Sequence, residues 1–165
     1  MAFLGLFGPP NVARMRVRRN TKGLIKALGY PKDAAVRRAA AKALGEVGGE
    51  GALDALLAAF LDADADVRVA AVRAVGSLGG DGAVKPLLDA LRNGELRPAA
   101  AEALGQMGGP AVPQLLALCQ EESDEAVRAA AVDALARLHA PGDLDQVVAA
   151  LAHENATLRT CAAQA

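Results

Sequence analysis

Two histidines, two cysteines and a regular series of arginines are the residues of this chain that could do chemistry. His153 stands beside Glu154, a pairing that metal sites use. A metal site needs three or four converging ligands, and no second pair of this kind exists to complete the set. Cys119 and Cys161 have neither a metal-type spacing nor the pattern of a disulfide framework. No Ser or Cys has a His and a carboxylate at matching positions, as an activated nucleophile requires. The glycines fall at the ends of Ala-rich runs rather than between a strand and a helix, so no phosphate cradle is expected. The residues therefore predict no catalysis, no metal and no cofactor.

The arginines do show a pattern. They follow a hydrophobe at Val36-Arg37, Val67-Arg68, Leu96-Arg97, Val127-Arg128 and Leu158-Arg159, with spacings of 31, 29, 31 and 31 residues. Around them one sentence recurs, as DAAVRRAAAKALGEVGG, DADVRVAAVRAVGSLGG, NGELRPAAAEALGQMGG and DEAVRAAAVDALARLHA, with NATLRTCAAQA as a partial fifth copy. Such a period marks a repeat architecture. Each Arg lies in a first helical turn, where a cation opposes the helix dipole. Arg37, Arg68, Arg97, Arg128 and Arg159 are therefore expected to form a ladder to a carboxylate or carbonyl of the adjacent repeat.

The elements that carry this pattern can be read from caps and periodicity. Four residues before each Arg stands Asp33, Asp64, Asn93, Asp124 or Asn155, each a good N-cap. Apolar residues follow at helical spacing, as in Val36, Ala39, Ala40, Ala43, Leu44 and Val47, or Val127, Ala130, Ala131, Ala134, Leu135 and Leu138. Gly48, Gly79 and Gly108 then stop the helix, and His139 takes that place in the fourth copy. A shorter second helix comes next, read in ALDALLAAFL, AVKPLLDALR, AVPQLLALCQ and LDQVVAALA. Its anchor pairs are Leu56-Leu57, Leu87-Leu88, Leu115-Leu116 and Val147-Val148. Gly45, Gly76 and Gly105 sit inside first helices, where glycine costs stability, and are expected at points of close helix approach. In this register Cys161 falls on a small core site and Cys119 on a large one, so both read as buried hydrophobes.

The composition agrees with an all-α chain. Of 165 residues 53% are hydrophobic and only 2% aromatic, with 40 Ala, 23 Leu and 14 Val against three Phe, one Tyr and no Trp. Small side chains fill a core only where backbones come close, and Ala has the best helix propensity. The apolar content excludes disorder. No run approaches the 18 or so apolar residues of a membrane span, and Met1–Phe7 lacks the basic region of a secretory signal. A reducing cytoplasm is the expected location.

The motif D-x-x-V-R-x-x-A-A-x-A-L-G-x-x-G followed by A-V-x-x-L-L-x-A-L resembles the HEAT-like repeat of the phycobilin-lyase type, across residues 33 to 165. The resemblance implies an all-α solenoid of stacked antiparallel helix pairs of about 30 residues each. One solenoid over residues 1–165 is expected, with a basic, degenerate first repeat at 1–32, four repeats at 33–154 and an incomplete fifth at 155–165. In the degenerate repeat, residues 11–19 would form the outer helix and 22–28 the inner. The C-terminal stripe of Cys161, Ala162 and Ala165 has no polar cap and is expected to favour self-association.

In the resembling family the second helices line a concave face. Carried over, this places Asp54, Lys85, Asp89, Gln114, Asp145 and Gln146 on a polar, mildly acidic surface, with Glu50 and Asp81 at the turns. The HEAT-like deoxyhypusine hydroxylases hold two irons with several His-Glu pairs, which this chain lacks. HEAT-like alkylpurine DNA glycosylases need a basic groove and stacking residues, and Tyr30 alone cannot supply them. The expected function is a non-enzymatic scaffold that docks a protein or peptide on the concave face, with no specific nucleic acid and no transmembrane segment. A bilin lyase or chaperone-like subunit is the alternative that the resemblance implies. Residues 1–32 hold seven Lys or Arg and no acid, which leaves nucleic acid or a membrane surface as a lesser alternative through the N-terminus.

Overall fold

A computed structural model describes residues 8–138, 141–151, 159–160 and 163. Ten α-helices are present among them: α1 (Val12–Val17), α2 (Thr21–Leu28), α3 (Ala34–Val47), α4 (Ala52–Ala58), α5 (Ala65–Leu78), α6 (Asp81–Leu91), α7 (Arg97–Met107), α8 (Val112–Glu121), α9 (Glu125–Ala136) and α10 (Pro141–Leu151). A single 3₁₀ turn, Ala59–Leu61, prolongs α4, and the described residues contain no strand. The fold is all-α, built from the helix pairs of the α-solenoid class. It divides into two compact units, residues 1–74 and 75–165.

In the first unit the outer helices α1 and α3 pack on each other, as do the inner helices α2 and α4. Cross-packing of α2 on α3 and α3 on α4 closes the layers. The second unit repeats the scheme, with α7 on α9, α8 on α10, and α6 and α8 joining the layers through α7 and α9. One helix pair cannot bury its own apolar stripe, and this like-on-like stacking buries it. Leu24, Leu44 and Leu56 are fully buried in the first unit, and Leu87, Leu104, Leu115 and Leu135 in the second. Each such leucine contributes about 2 kcal/mol by leaving water.

The helix ends follow local chemistry. Asp33 accepts a hydrogen bond from the Ala35 N–H at 2.8 Å, Asp64 from Val67 at 3.1 Å and Asp124 from Ala126 at 2.8 Å. Gly48, Gly79 and Gly108 end α3, α5 and α7 with φ of 65°, 69° and 65°, a conformation that side chains with a Cβ resist. Inside the helices, a Cβ at Gly76 would stand 2.5 Å from the Ala103 Cβ and 2.8 Å from its Cα. A Cβ at Gly45 would meet the Ala74 Cα and Cβ at 2.9 Å, and one at Gly105 the Ala134 carbonyl oxygen at 2.9 Å. These glycines mark the closest approach of stacked outer helices.

Several sequence expectations are corrected. The helix of the third repeat starts at Arg97, a turn later than its counterparts. Pro98 has no N–H to give the Gly94 carbonyl, so the helical ladder breaks there, although Asn93 still accepts from Glu95 and Leu96 at 3.0 and 3.4 Å. Ala39 is exposed and Val36 half-buried, so the first-copy core begins at Ala40. In each anchor pair only the first member is buried. Leu57, Leu88 and Leu116 are half-buried and Val148 is 60% exposed. Cys119 is 2% exposed, as a core residue should be, but it is disulfide-bonded rather than a free thiol. Sequence spacing cannot reveal such a bond, because it depends on distance in space. The positions of His139, His153, Glu154, Asn155, Cys161, Ala162 and Ala165 lie outside the described residues.

Candidate binding surface

Four of the five repeated arginines turn back to the loop that precedes their own helix. Arg68 Nη1 donates to the Asp62 and Ala63 carbonyls at 2.7 and 3.1 Å, and Arg97 Nε to the Leu91 carbonyl at 2.7 Å. Arg128 Nη1 donates to the Glu122 and Ser123 carbonyls, both at 2.8 Å. Arg37 Nη1 reaches the Tyr30 carbonyl at 3.1 Å in the same way. These carbonyls end the preceding inner helix or its exit loop, where α-helical partners are missing. Arg159 is helical and exposed.

Arg37 also makes a two-pronged carboxylate contact. Its Nε and Nη2 each donate to Asp62 at 2.8 Å, with side chains 14% and 12% exposed. Asp62 accepts as well from the Asp64 N–H at 2.9 Å. The Arg37 hydrogen bonds, against the opposing effect of burial, hold the Asp62 carboxyl below its ordinary range. In the second unit the Asp124 N–H and Arg92 lower the Glu122 carboxyl similarly, with Arg92 Nη2 at 2.8 Å. These groups pair with one another, Arg37 with Asp62 in the first unit and Arg92 with Glu122 in the second.

The inner helices present the other surface. Asp54, in the first unit, is exposed, and so are Lys85, Asp89, Gln114, Asp145 and Gln146 in the second. Lys85 pairs with Asp89 along α6 at 3.3 Å. Beside these polar groups run the second members of the anchor pairs, Leu88, Leu116 and Val148. That apolar row was missed in the sequence because both members of each pair were read as core. In the first unit Leu61 is 89% exposed. It edges a groove of about 330 Å³ lined also by Ile25, Leu28, Ala55 and Ala58. A second groove of about 340 Å³ lies in the second unit against Arg92, Gln114, Leu118 and Glu121.

The basic N-terminal pair of helices splits its cations into two groups. Arg16 bridges to Glu46 at 3.0 Å, and Arg19, at φ 49°, donates from Nη2 to the Val47 carbonyl at 2.9 Å. Thr21 Oγ1 donates to the Gly48 carbonyl at 2.7 Å. Together they close the C-terminus of α3, where a cation is favoured by the helix dipole. Arg14, Arg18, Lys22, Lys26 and Lys32 are exposed, and among the described residues they have no side-chain partner. No group of three or more metal-ligating side chains occurs among the described residues. No helix there is long and apolar enough to cross a membrane.

Comparison with known proteins agrees with this architecture. The HEAT-repeat family model matches residues 21–96, 53–136 and 92–165. The complex of CpcE and CpcF of phycocyanin lyase from Nostoc sp. PCC7120 contains a chain similar to this one, with a TM-score of 0.58 and 26% identity. The match covers 92% of this chain and 66% of that one, so this chain spans just under two thirds of its neighbour. An engineered protein shares the fold at a TM-score of 0.50 and 19% identity, over 96% of this chain and 84% of that one. No curated protein matches the chain. The resemblance to the phycobilin-lyase type of repeat, stated from the motif, is met by these findings. The chain belongs to the HEAT-repeat family.

Proposed function

We propose that this chain is a non-enzymatic docking scaffold that holds a protein or peptide against the exposed face of its inner helices. The observation that carries the reading is the row of Leu88, Leu116 and Val148 in the second unit, at equivalent positions on α6, α8 and α10. Each is left partly in water beside exposed polar side chains, Lys85 and Asp89, Gln114, and Asp145 and Gln146. Apolar contacts framed by polar groups suit a protein interface. The scarcity of Trp and Tyr makes that interface modest, since hot spots favour those residues and Arg. No cluster of three or more metal-ligating side chains among the described residues competes with this reading.

The test places a photo-crosslinking amino acid at Asp89 or Gln114, and at Asp133 on the outer helix α9 as a control. The scaffold reading expects discrete adducts from the two inner positions, lost when Leu88→Glu and Leu116→Glu are added. Equal adducts from Asp133, or none from any position, would sink it. The likeness to a phycocyanin lyase chain favours one other reading, a subunit that handles a bilin chromophore. Mixing the protein with a bilin separates the two, because only a chromophore-handling subunit would shift the bilin's visible absorbance.

A further inference from the structure

We infer that the chain binds a second copy of itself, the groove between α2 and α4 of one copy receiving α10 of the next. The groove belongs wholly to the first unit. Its apolar lining comes from Ile25, Leu28, Ala55, Ala58 and Leu61, around a volume of about 330 Å³. Leu61, 89% exposed at its edge, breaks the pattern of the repeats. Five residues after the buried Leu56, Leu87 and Leu115 stand Leu61, Arg92 and Gln120. The later two repeats thus put a polar side chain where the first leaves a leucine in water. Two exposed lysines stand over the same groove. Lys22 lies three residues before Ile25 and Lys26 three before Gly29, both of which line it, and residues three apart on a helix are neighbours. Neither lysine has a side-chain partner among the described residues. An apolar patch rimmed by charge is the form of an interaction site.

Charge identifies the occupant. Residues 1–74 carry twelve Lys or Arg against seven Asp or Glu, and residues 75–165 carry six against twelve. The two units are therefore of opposite sign, and the second unit of one copy is attracted to the first unit of another. The ridge that fits is on α10. Val148 is 60% exposed, where its counterparts Leu57, Leu88 and Leu116 are half-buried. Asp145, three residues earlier and so beside it on the helix, is exposed and has no partner among the described residues. Seating α10 in the groove brings Val148 to Leu61 and Ile25, and the Asp145 carboxylate to the lysines. Groove and ridge are different surfaces, so the contact is heterologous and each copy keeps one unused half. Val148 also belongs to the docking row of the inner helices, but the groove does not, and the contact does not rest on that reading.

The test is light scattering of the purified chain below about 0.1 M salt, where the Debye length exceeds about 10 Å. Association is expected there and should fall as salt rises. Leu61→Asp and Val148→Asp should each weaken it by roughly tenfold or more, since each puts a carboxylate into an apolar contact. Both native side chains are mostly in water, so the melting curves should match that of the native chain. Mixed in equal amounts, the two variants should form particles of two chains and nothing larger. The Val148→Asp chain keeps its groove and the Leu61→Asp chain keeps its ridge. Lys22→Glu with Lys26→Glu should behave as Leu61→Asp does. A native chain that stays single would overturn the proposal and leave the groove to a foreign partner. Association of any variant alone at native strength, or a mixture that stays as single chains, would overturn it too. Leu61→Asp leaves Leu88, Leu116 and Val148 in place, so the crosslinks from Asp89 and Gln114 should survive it, and either contact can fail without the other.

Discussion

Arg37 and Asp62 meet through two hydrogen bonds in a place where water reaches only the edges of both side chains. Asp62→Asn removes the charge and one acceptor but leaves the guanidinium in place. Breaking a fully buried pair costs several kcal/mol and an exposed one almost nothing, so a loss of about 2 kcal/mol is expected in urea unfolding. Asp66→Asn serves as the control, because Arg38 and Asp66 are 54% and 72% exposed and should yield less than about 0.5 kcal/mol. The same pair sets a pH response. A carboxyl whose folded pKa is lowered contributes stability above its unfolded value of about 3.9, and that stability is lost as pH falls through the folded value. Acid titration should therefore separate the native chain from Asp62→Asn above about pH 4 and bring them together well below it. The need for a contact at Arg37 was legible, since a cation there opposes the helix dipole. Asp62 was not, because the acid at the same offset in a later repeat, Glu122, takes a different partner, Arg92.

At the scale of the element, glycine and alanine set how closely outer helices stack. Gly76→Ala adds helix propensity worth about 1 kcal/mol. Its new Cβ, however, lands within 2.8 Å of both the Cα and Cβ of Ala103. Backbone cannot swing aside as a flexible side chain can, and overpacking costs about 1–3 kcal/mol, so the sum should be destabilising and lower the melting temperature. Gly94→Ala meets nothing within 4 Å and keeps an ordinary φ, so it should be neutral or slightly stabilising. The opposite result for either variant would show that the glycines are not spacers. Caps, stop glycines and these spacers were readable because each depends on a few neighbouring residues and recurs with the period. Pro98 delays α7 by breaking the period, and α4 tightens into a 3₁₀ turn that leads to Asp62. The closure of α3 by Arg16, Arg19 and Thr21 was hidden for a similar reason, since Glu46 has no acidic counterpart in the later repeats.

For the whole molecule, the net charge of −1 conceals an uneven distribution. Residues 1–32 are wholly basic, and residues 33–165 carry eleven Lys or Arg against nineteen Asp or Glu. Chains with such ends attract one another when screening is weak. Light scattering at pH 7 should show association below about 0.1 M salt, where the Debye length exceeds about 10 Å, and single chains near 1 M. A mass independent of salt would refute this. The absence of large aromatic side chains, first met as a constraint on core packing, also governs how the protein can be observed. With no Trp and Tyr30 as the one tyrosine, ultraviolet emission comes from a single ring. The backbone carbonyl of that residue accepts from Arg37 at the junction of α2 and α3. A melt followed by tyrosine emission would therefore report the parting of the basic cap from the first full repeat rather than events in the later repeats.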